Sequence, residues 1–446
     1  MPMLKNVTGL DLGSDSLKAV EFKQALRGLE PGQMRIHPRA STEIDLGEQV
    51  QHFLHQHEFS TEYITAAIPG RLLSNRLLEF PFRDRKKLTQ AVPFQIEGDI
   101  PFEMEDVLVE WQTIGGDRNH ALIIASVAQR QHVAALLEDL GEGSSAPRVI
   151  ESSGTVLANL AGLFELDGSR VLLDLGHSQT TICLIRDGQP IGARTVPVGG
   201  QAITLAMARD RGLDPADAER LKCEQGIFDS GFESPYPNAL AILDRIAREI
   251  LRSVEASSAN AVEPVSPSMF EITLMGGGAH LKKVGDYLSE RTGISANPLT
   301  APTEGDEADL LAGGDPVLFG PAIALALRGT SRSVTKCNFR KEDFALTVPN
   351  RGDLSEITRI NKRQQQTVFN FFRAGWAKHI VLHYGETRIQ RFVLSQLIDP
   401  FLNKVHINRW RISKQQNYHF WIFSQIGIYR LKCMRKNILC QCVWCR

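Results

Sequence analysis

Apolar positions along the chain follow two periods in turn. Short β-type runs at 64–69 ("ITAAIP"), 121–128 ("ALIIASVA"), 171–176 ("VLLDLG"), 182–185 ("ICLI") and 271–277 ("EITLMGG") alternate with helical stretches such as "ADAERLK" (216–222) and "ALAILDRIAREILRSVEASS" (239–258). In the longer stretch Leu240, Ile242, Leu243, Ile246, Ile250, Leu251 and Val254 recur near the 3.6-residue helical repeat, which predicts one buried helix face. Strands alternating with helices predict an α/β architecture.

One pattern occurs twice. "TGLDLGSDSLKAVEF" (8–22) returns in altered form as "VLLDLGHSQTTICLI" (171–185). Each copy is an apolar run, Asp-Leu-Gly, a hydroxyl-rich turn and a second apolar run, the pattern of a β-hairpin. Gly13 and Gly176 are expected to permit positive φ and close backbone approach, so that the turn N–H groups form an anion-binding nest. Ser14, Ser16, Ser178, Thr180 and Thr181 add hydroxyls, and Lys18 adds a cation. Asp11 and Asp174 would face each other across a cleft, where two carboxylates beside a polyphosphate suit the water shell of Mg²⁺. A single copy would read as a plain hairpin; two copies predict a two-sided phosphate clamp. A third element, "ITLMGGGAHLKKVGDYLSERTG" (272–293), reads as strand, three glycines and helix. Gly276, Gly277 and Gly278 would let a flat ring or a phosphate sit against the backbone at a helix N-terminus, although such a turn alone is an ordinary connection.

Charge and composition then divide the chain. The formal net charge of −1 over 446 residues gives no sign of a polyanionic partner, and no nucleic acid is expected. The balance conceals a split: residues 350–446 hold 17 Lys/Arg against 4 Asp/Glu, leaving 33 against 47 in residues 1–349. The same 97 positions carry four of five Trp, four of seven Cys and two Ala. They read as a basic tail that is not a folded domain, with the boundary near residue 345. Cys433, Cys440, Cys442 and Cys445 suggest zinc, but their spacing meets the paired pattern of structural sites only in part. Elsewhere Cys183, Cys223 and Cys337 are far apart, which suits a reducing compartment. No run reaches the roughly 18 apolar residues of a membrane span. The N-terminus lacks a signal-peptide pattern, so a cytoplasmic location is expected. Residues 142–148 ("EGSSAPR") and 228–238 ("FDSGFESPYPN") read as connections.

In this order, the two hairpins and the glycine turn resemble the phosphate-1, phosphate-2 and adenosine motifs of the actin/Hsp70/sugar-kinase superfamily. More narrowly, the chain resembles the PilM family of type IV pilus assembly proteins and the related GspL cytoplasmic domain of type II secretion. The likeness rests on "GLDLGSDSLKAVEF", "FQIEGDIPFEMEDVLVEW" (94–111), "VLLDLGHSQTTICLI", "VPVGGQAIT" (196–204), "AERLK" (218–222), "GGGAHLKKVGDYLSERTG" and "GPAIALALRG", and covers residues 4 to about 345. The "IPFEMEDV" segment resembles an extra small subdomain that sugar kinases lack.

The resemblance implies an actin-like (RNase H-like) two-lobed ATP-binding fold with an inserted small α+β subdomain. Residues 1–345 would form the body, with the insert within about 30–146 and the second phosphate loop and adenosine site within 147–345. It places Asp11, Gly13, Ser14 and Lys18 at one phosphate loop and Asp174, Gly176, Ser178 and Thr180 at the other. It also places Glu219 and Lys222 beside ribose and adenine, and Gly276, Gly277 and Gly278 under the adenosine, with Mg²⁺ held through water by Asp11 and Asp174. Glu219 and Lys222 read equally well as an exposed ion pair. Glu151 and Gln179 are candidates for orienting water, and each also reads as structural. The implied role is an ATP-binding scaffold at the inner membrane, either non-hydrolytic or slowly hydrolytic. It would take a short cytoplasmic peptide of a pilus or secretion membrane protein, with self-association as a further mode. A sugar-type kinase and an FtsA-like division filament are the alternatives. "CNFRKEDFAL" (337–346) resembles the stretch by which GspL-type proteins approach their membrane segment, and also the peptides that partners lay against PilM.

Overall fold

In the computed structural model the described residues are 5–26, 28–39, 45–141, 146–229, 231–259, 266–302, 309–311 and 313–346, with the backbone of three strands at 417–424, 427–434 and 440–445. The chain divides into two compact units, Met1–Leu346 and Thr347–Arg446.

The first unit is built on one sheet topology used twice. In the first lobe, β1 (Lys5–Leu12), β2 (Ser16–Ala25) and β3 (Gly28–Pro38) form an antiparallel meander. After α1 (Leu46–Gln56), β4 (Ile64–Ile68) joins β1 in parallel and β8 (Val149–Ser152) joins β4, giving the order β3-β2-β1-β4-β8. The second lobe repeats this with β9 (Ser169–Leu175), β10 (Thr180–Arg186), β11 (Gln189–Val196), β12 (Phe270–Met275) and β13 (Ala296–Pro298), in the order β11-β10-β9-β12-β13. Each of the apolar runs named above is a strand. The two lobes give the actin-like α/β architecture that the resemblance implies.

Between β4 and β8 the chain inserts β5 (Leu73–Phe80), α2 (Arg85–Glu97), β6 (Val107–Gly115) and β7 (Ala121–Gln129), forming a sheet in the order β5-β7-β6. Leu88, Val92 and Ile96, one helical turn apart on α2, pack on Phe80, Ile123, Ala125 and Val127, so the insert has its own core. Helix α3 (Arg130–Leu140) returns the chain to the first lobe.

The second lobe adds α4 (Gly200–Arg211), α5 (Pro215–Gln225), α6 (Pro237–Ala259) and α7 (Val284–Thr292). Leu243, Ile246, Ile250 and Val254 of α6 are buried, while Leu240, Ile242 and Leu251 flank that stripe and are partly buried. Helix α8 (Pro316–Arg328) packs against both lobes. It lies so close to β1 that a Cβ on Gly9 would come 2.2 Å from the Ala322 carbonyl and the Ala326 amide, which only glycine allows. At its other end, the Val317 carbonyl accepts from the Gly276 N–H at 2.7 Å.

Beyond α8 the chain runs across the insert and β8. Backbone N–H groups of Lys336 and Asn338 donate to Gln112 Oε1 (2.6 Å) and Glu110 Oε2 (3.0 Å), and Phe339 N–H donates to the Ile150 carbonyl at 2.8 Å. The Phe339 ring is fully buried. This strap belongs to the first unit, so truncation after Leu346 should leave a cooperative thermal melt, whereas truncation after Ser333 should broaden it and lower its midpoint. Phe339→Ala alone should cost about 3–5 kcal/mol in denaturant titrations.

In the second unit β14 (Asn417–Ser424), β15 (Gly427–Met434) and β16 (Cys440–Cys445) form an antiparallel sheet in which Cys433 pairs with Cys440 along the backbone. The rest of the basic tail, and the cysteine side chains that suggested zinc, lie outside the described residues. Among the described residues no helix is long and apolar enough to cross a membrane.

Candidate functional site

The two Asp-Leu-Gly turns meet. At the end of β1, Asp11 stands directly opposite Lys18 of β2, and antiparallel partners project to the same face. Lys18 Nζ lies 3.3 Å from Asp11 Oδ2, with the lysine 12% and the aspartate 22% exposed. In the second hairpin the residue opposite Asp174 is Thr181, so only the first lobe contributes a cation at this level. Across the cleft Ser14 Oγ donates to Ser178 Oγ at 2.8 Å, and beside it His177 Nδ1 lies 3.8 Å from Asp15 Oδ1.

The electrostatics of the pair of turns are unequal. Burial works against the charge on Lys18, but Asp11, then Asp174 and Asp15, outweigh it and its pKa is raised. The Asp174 carboxyl is pushed up to about 7, first by burial and then by the Asp11 charge, with Lys18 opposing. Two carboxylates therefore share one ammonium, and Asp174 keeps a proton for part of the time at neutral pH. A divalent cation would relieve that imbalance.

The glycines act differently from expectation. Gly13 and Gly176 are not in the positive-φ region. They are required because a Cβ would stand 2.5 Å from the Ser16 carbonyl in one turn and 2.8 Å from the Gln179 carbonyl in the other. Of the three glycines after β12, Gly276 alone has positive φ, at 84°. A Cβ there would lie 2.3 Å from Asp174 Oδ1, and one on Gly278 would lie 2.9 Å from Leu175. Gly277 faces open space. The helix does not begin at these glycines: a short 3₁₀ turn (Gly277–His280) and a left-handed Lys283 intervene before α7.

Of the hydroxyls, Ser14 and Ser178 face the cleft. Thr180 is buried and donates to the Val198 carbonyl at 2.7 Å, and Thr181 lies against Thr195. Both brace the turn from behind. Gly199 and Gly200, which lead into α4, brace it further: Gly200 N–H and Gln201 N–H donate to the carbonyls of Gly176 and His177, both at 2.9 Å. A Cβ on Gly199 would meet the Gly176 carbonyl at 2.4 Å.

Glu219 and Lys222 do form an ion pair, Nζ to Oε2 at 2.7 Å, on α5. Lys222 also donates to Thr204 Oγ1 (2.9 Å) and the Gly200 carbonyl (3.3 Å), so two of its three protons are engaged against the start of α4 and the third by Glu219. Burial disfavours the Glu219 carboxylate, but hydrogen bonds from Lys222 and Thr204 outweigh it and hold its pKa low.

The two candidates for orienting water separate. Glu151 is fully buried and accepts from Arg328 Nε at 2.6 Å and Thr335 Oγ1 at 3.2 Å, so both it and its partners are committed to the interior. Gln179 lies in the second turn, and its Oε1 is buried with no hydrogen-bond partner among the described residues. An acceptor left unpaired in this turn fits a site that receives a donor. Sequence reasoning did not assign Arg39, Gly199 or Gly200; the two glycines lie in the "VPVGG" run, whose only signal was the resemblance.

Comparisons with known proteins bear on the fold and the family. The solved PilM–PilN type IV pilus biogenesis complex is similar at 24% identity over 72% of this chain and 98% of that chain, with a TM-score of 0.56, a likeness of fold. Ethanolamine utilization protein EutJ from Carboxydothermus hydrogenoformans overlays less closely, at 14% identity over 73% of this chain and 92% of its own, TM-score 0.40. The cytoplasmic domain of EpsL, an inner-membrane component of the Vibrio cholerae type II secretion system, matches at 14% identity over 47% of this chain and 78% of its own, TM-score 0.31. The model of the type IV pilus assembly protein PilM matches residues 9–328, and with it the chain belongs to that family.

Proposed function

We propose that this protein is a cytoplasmic scaffold, peripheral to the inner membrane, of a type IV pilus or related secretion platform, which binds Mg·ATP between its lobes and a short cytoplasmic peptide of a membrane partner. One observation carries the reading: turns of the same design, one per lobe, touch through Ser14 and Ser178, with Asp11 and Lys18 paired in the first and Asp174 in the second. Bound nucleotide would supply the negative charge and metal that this arrangement of residues is suited to hold. Lys18, Ser14 and Ser178 would meet phosphate, Asp11 and Asp174 the water shell of Mg²⁺, and Gly277 would leave room for the adenosine. Gln179 has a free acceptor for a water, which supports slow hydrolysis at most. The membrane partner is argued from the PilM–PilN likeness.

If nucleotide holds the lobes together and a partner prefers that state, the coupling is reciprocal. Titrating ATP with and without saturating partner peptide should give the same affinity ratio as titrating peptide with and without saturating ATP, about 5- to 150-fold for ordinary couplings. A ratio of one in both directions would remove the switch from the proposal.

A further inference from the structure

Arg39 lies just past β3, beside the first phosphate turn. Its backbone N–H donates to the Asp15 carbonyl at 2.8 Å, and its Nη1 donates to the Gly13 carbonyl at 3.4 Å. The turn thus has two neighbouring cations. Lys18 approaches it from the Asp11 side, where a Cβ on Gly13 would sit 3.6 Å from Nζ, and its charge is already matched by carboxylates. Arg39 has no carboxylate within salt-bridge distance among the described residues and is held only by a long bond to a neutral carbonyl. A guanidinium so placed gains little from its present contact. It would gain more from a doubly charged oxygen group, which it can bind through two parallel N–H donors.

Resting on the proposed Mg·ATP site, we infer that Arg39 is a specificity-determining residue that reads the terminal phosphate, exchanging the Gly13 carbonyl for that phosphate and so distinguishing ATP from ADP. The backbone anchor at Asp15 fixes where the side chain starts. The bond to Gly13 places its head at the turn, where Ser14 of one lobe meets Ser178 of the other. Arg39 would therefore feel the presence or absence of the outermost phosphate at the junction of the lobes. Lys18, tied to Asp11 beneath the turn, would serve any polyphosphate.

The test is competition titration of Mg·ATP and Mg·ADP on the full chain, native and Arg39→Gln, with Arg39→Lys as the charge-retaining variant and a melting curve for each. Arg39→Gln should weaken ATP about 10- to 100-fold, the worth of a charge-assisted hydrogen bond, while ADP changes less than about threefold. Arg39→Lys should recover part of the ATP loss, and all three proteins should melt alike. Equal losses for ATP and ADP, or no loss, would overturn the assignment of Arg39 and leave the nucleotide site standing. A native protein that bound neither nucleotide would overturn both.

Discussion

Asp174→Asn should lower Mg·ATP affinity about 10- to 100-fold and abolish a proton release that accompanies binding to the native protein. The native carboxyl sits near pKa 7 because burial and the Asp11 charge outweigh Lys18. Accepting hydrogen bonds from a hydrated cation favours its ionised form, so binding near pH 7 must expel a fraction of a proton, and native affinity should rise from pH 6 to pH 8. Calorimetry in buffers of different ionisation enthalpy reads that proton directly. The variant should show neither the release nor the pH slope. Linkage also fixes the sign for stability. A folded pKa raised above the unfolded 3.8 gives a contribution that is full below the unfolded value and is lost as pH rises through about 7. Asparagine cannot ionise, so Asp174→Asn should be at least as stable as the native chain at pH 8, separating lost binding from lost folding. Unchanged affinity, or a release that persists in the variant, would remove Asp174 from the site.

Much of this arrangement was legible from residues alone because it is periodic or repeated. The strands and the buried face of α6 follow from short-range pattern. So does the meeting of two turns, once the duplication is seen. What stayed hidden depends on contacts between distant segments. Nothing near Thr180 announces that its hydroxyl goes to Val198, and nothing near Gly276 says that a side chain there would collide with the Asp174 carboxylate. Arg39 lies 28 residues after Asp11 in sequence and reaches the turn only because β3 pairs with β2 in a register that sets Pro38 beside Ser16. Glu151 follows the same logic. A carboxylate after an apolar run reads as a candidate base until α8, 177 residues on, brings Arg328 onto it.

Arg328→Ala should therefore be among the most damaging single substitutions outside the cleft, at about 3–5 kcal/mol at pH 8, because it strands a buried carboxylate. Glu151 is fully enclosed, and burial raises its pKa to about 7 even with the guanidinium pulling it down. Arg328 also donates from Nη2 to the Cys337 carbonyl at 3.0 Å, so its removal frees one end of the strap as well. The two contributions respond differently to pH. A carboxyl whose folded pKa exceeds its unfolded 4.5 contributes stability that is full below 4.5 and is lost as pH rises through the folded value. Without Arg328 the folded value moves higher still, so the penalty of the variant should be largest at pH 8 and shrink toward pH 5, where Glu151 takes up a proton. The strap contribution should remain at both. Denaturant titrations at the two pH values measure the difference, and the double variant Glu151→Gln/Arg328→Ala should recover much of the pH 8 loss. A penalty independent of pH, with no recovery in the double variant, would mean that Arg328 acts through the strap alone. If Glu151→Gln abolished ATP turnover while the chain still melted at the native temperature, Glu151 would return as a candidate base despite its burial.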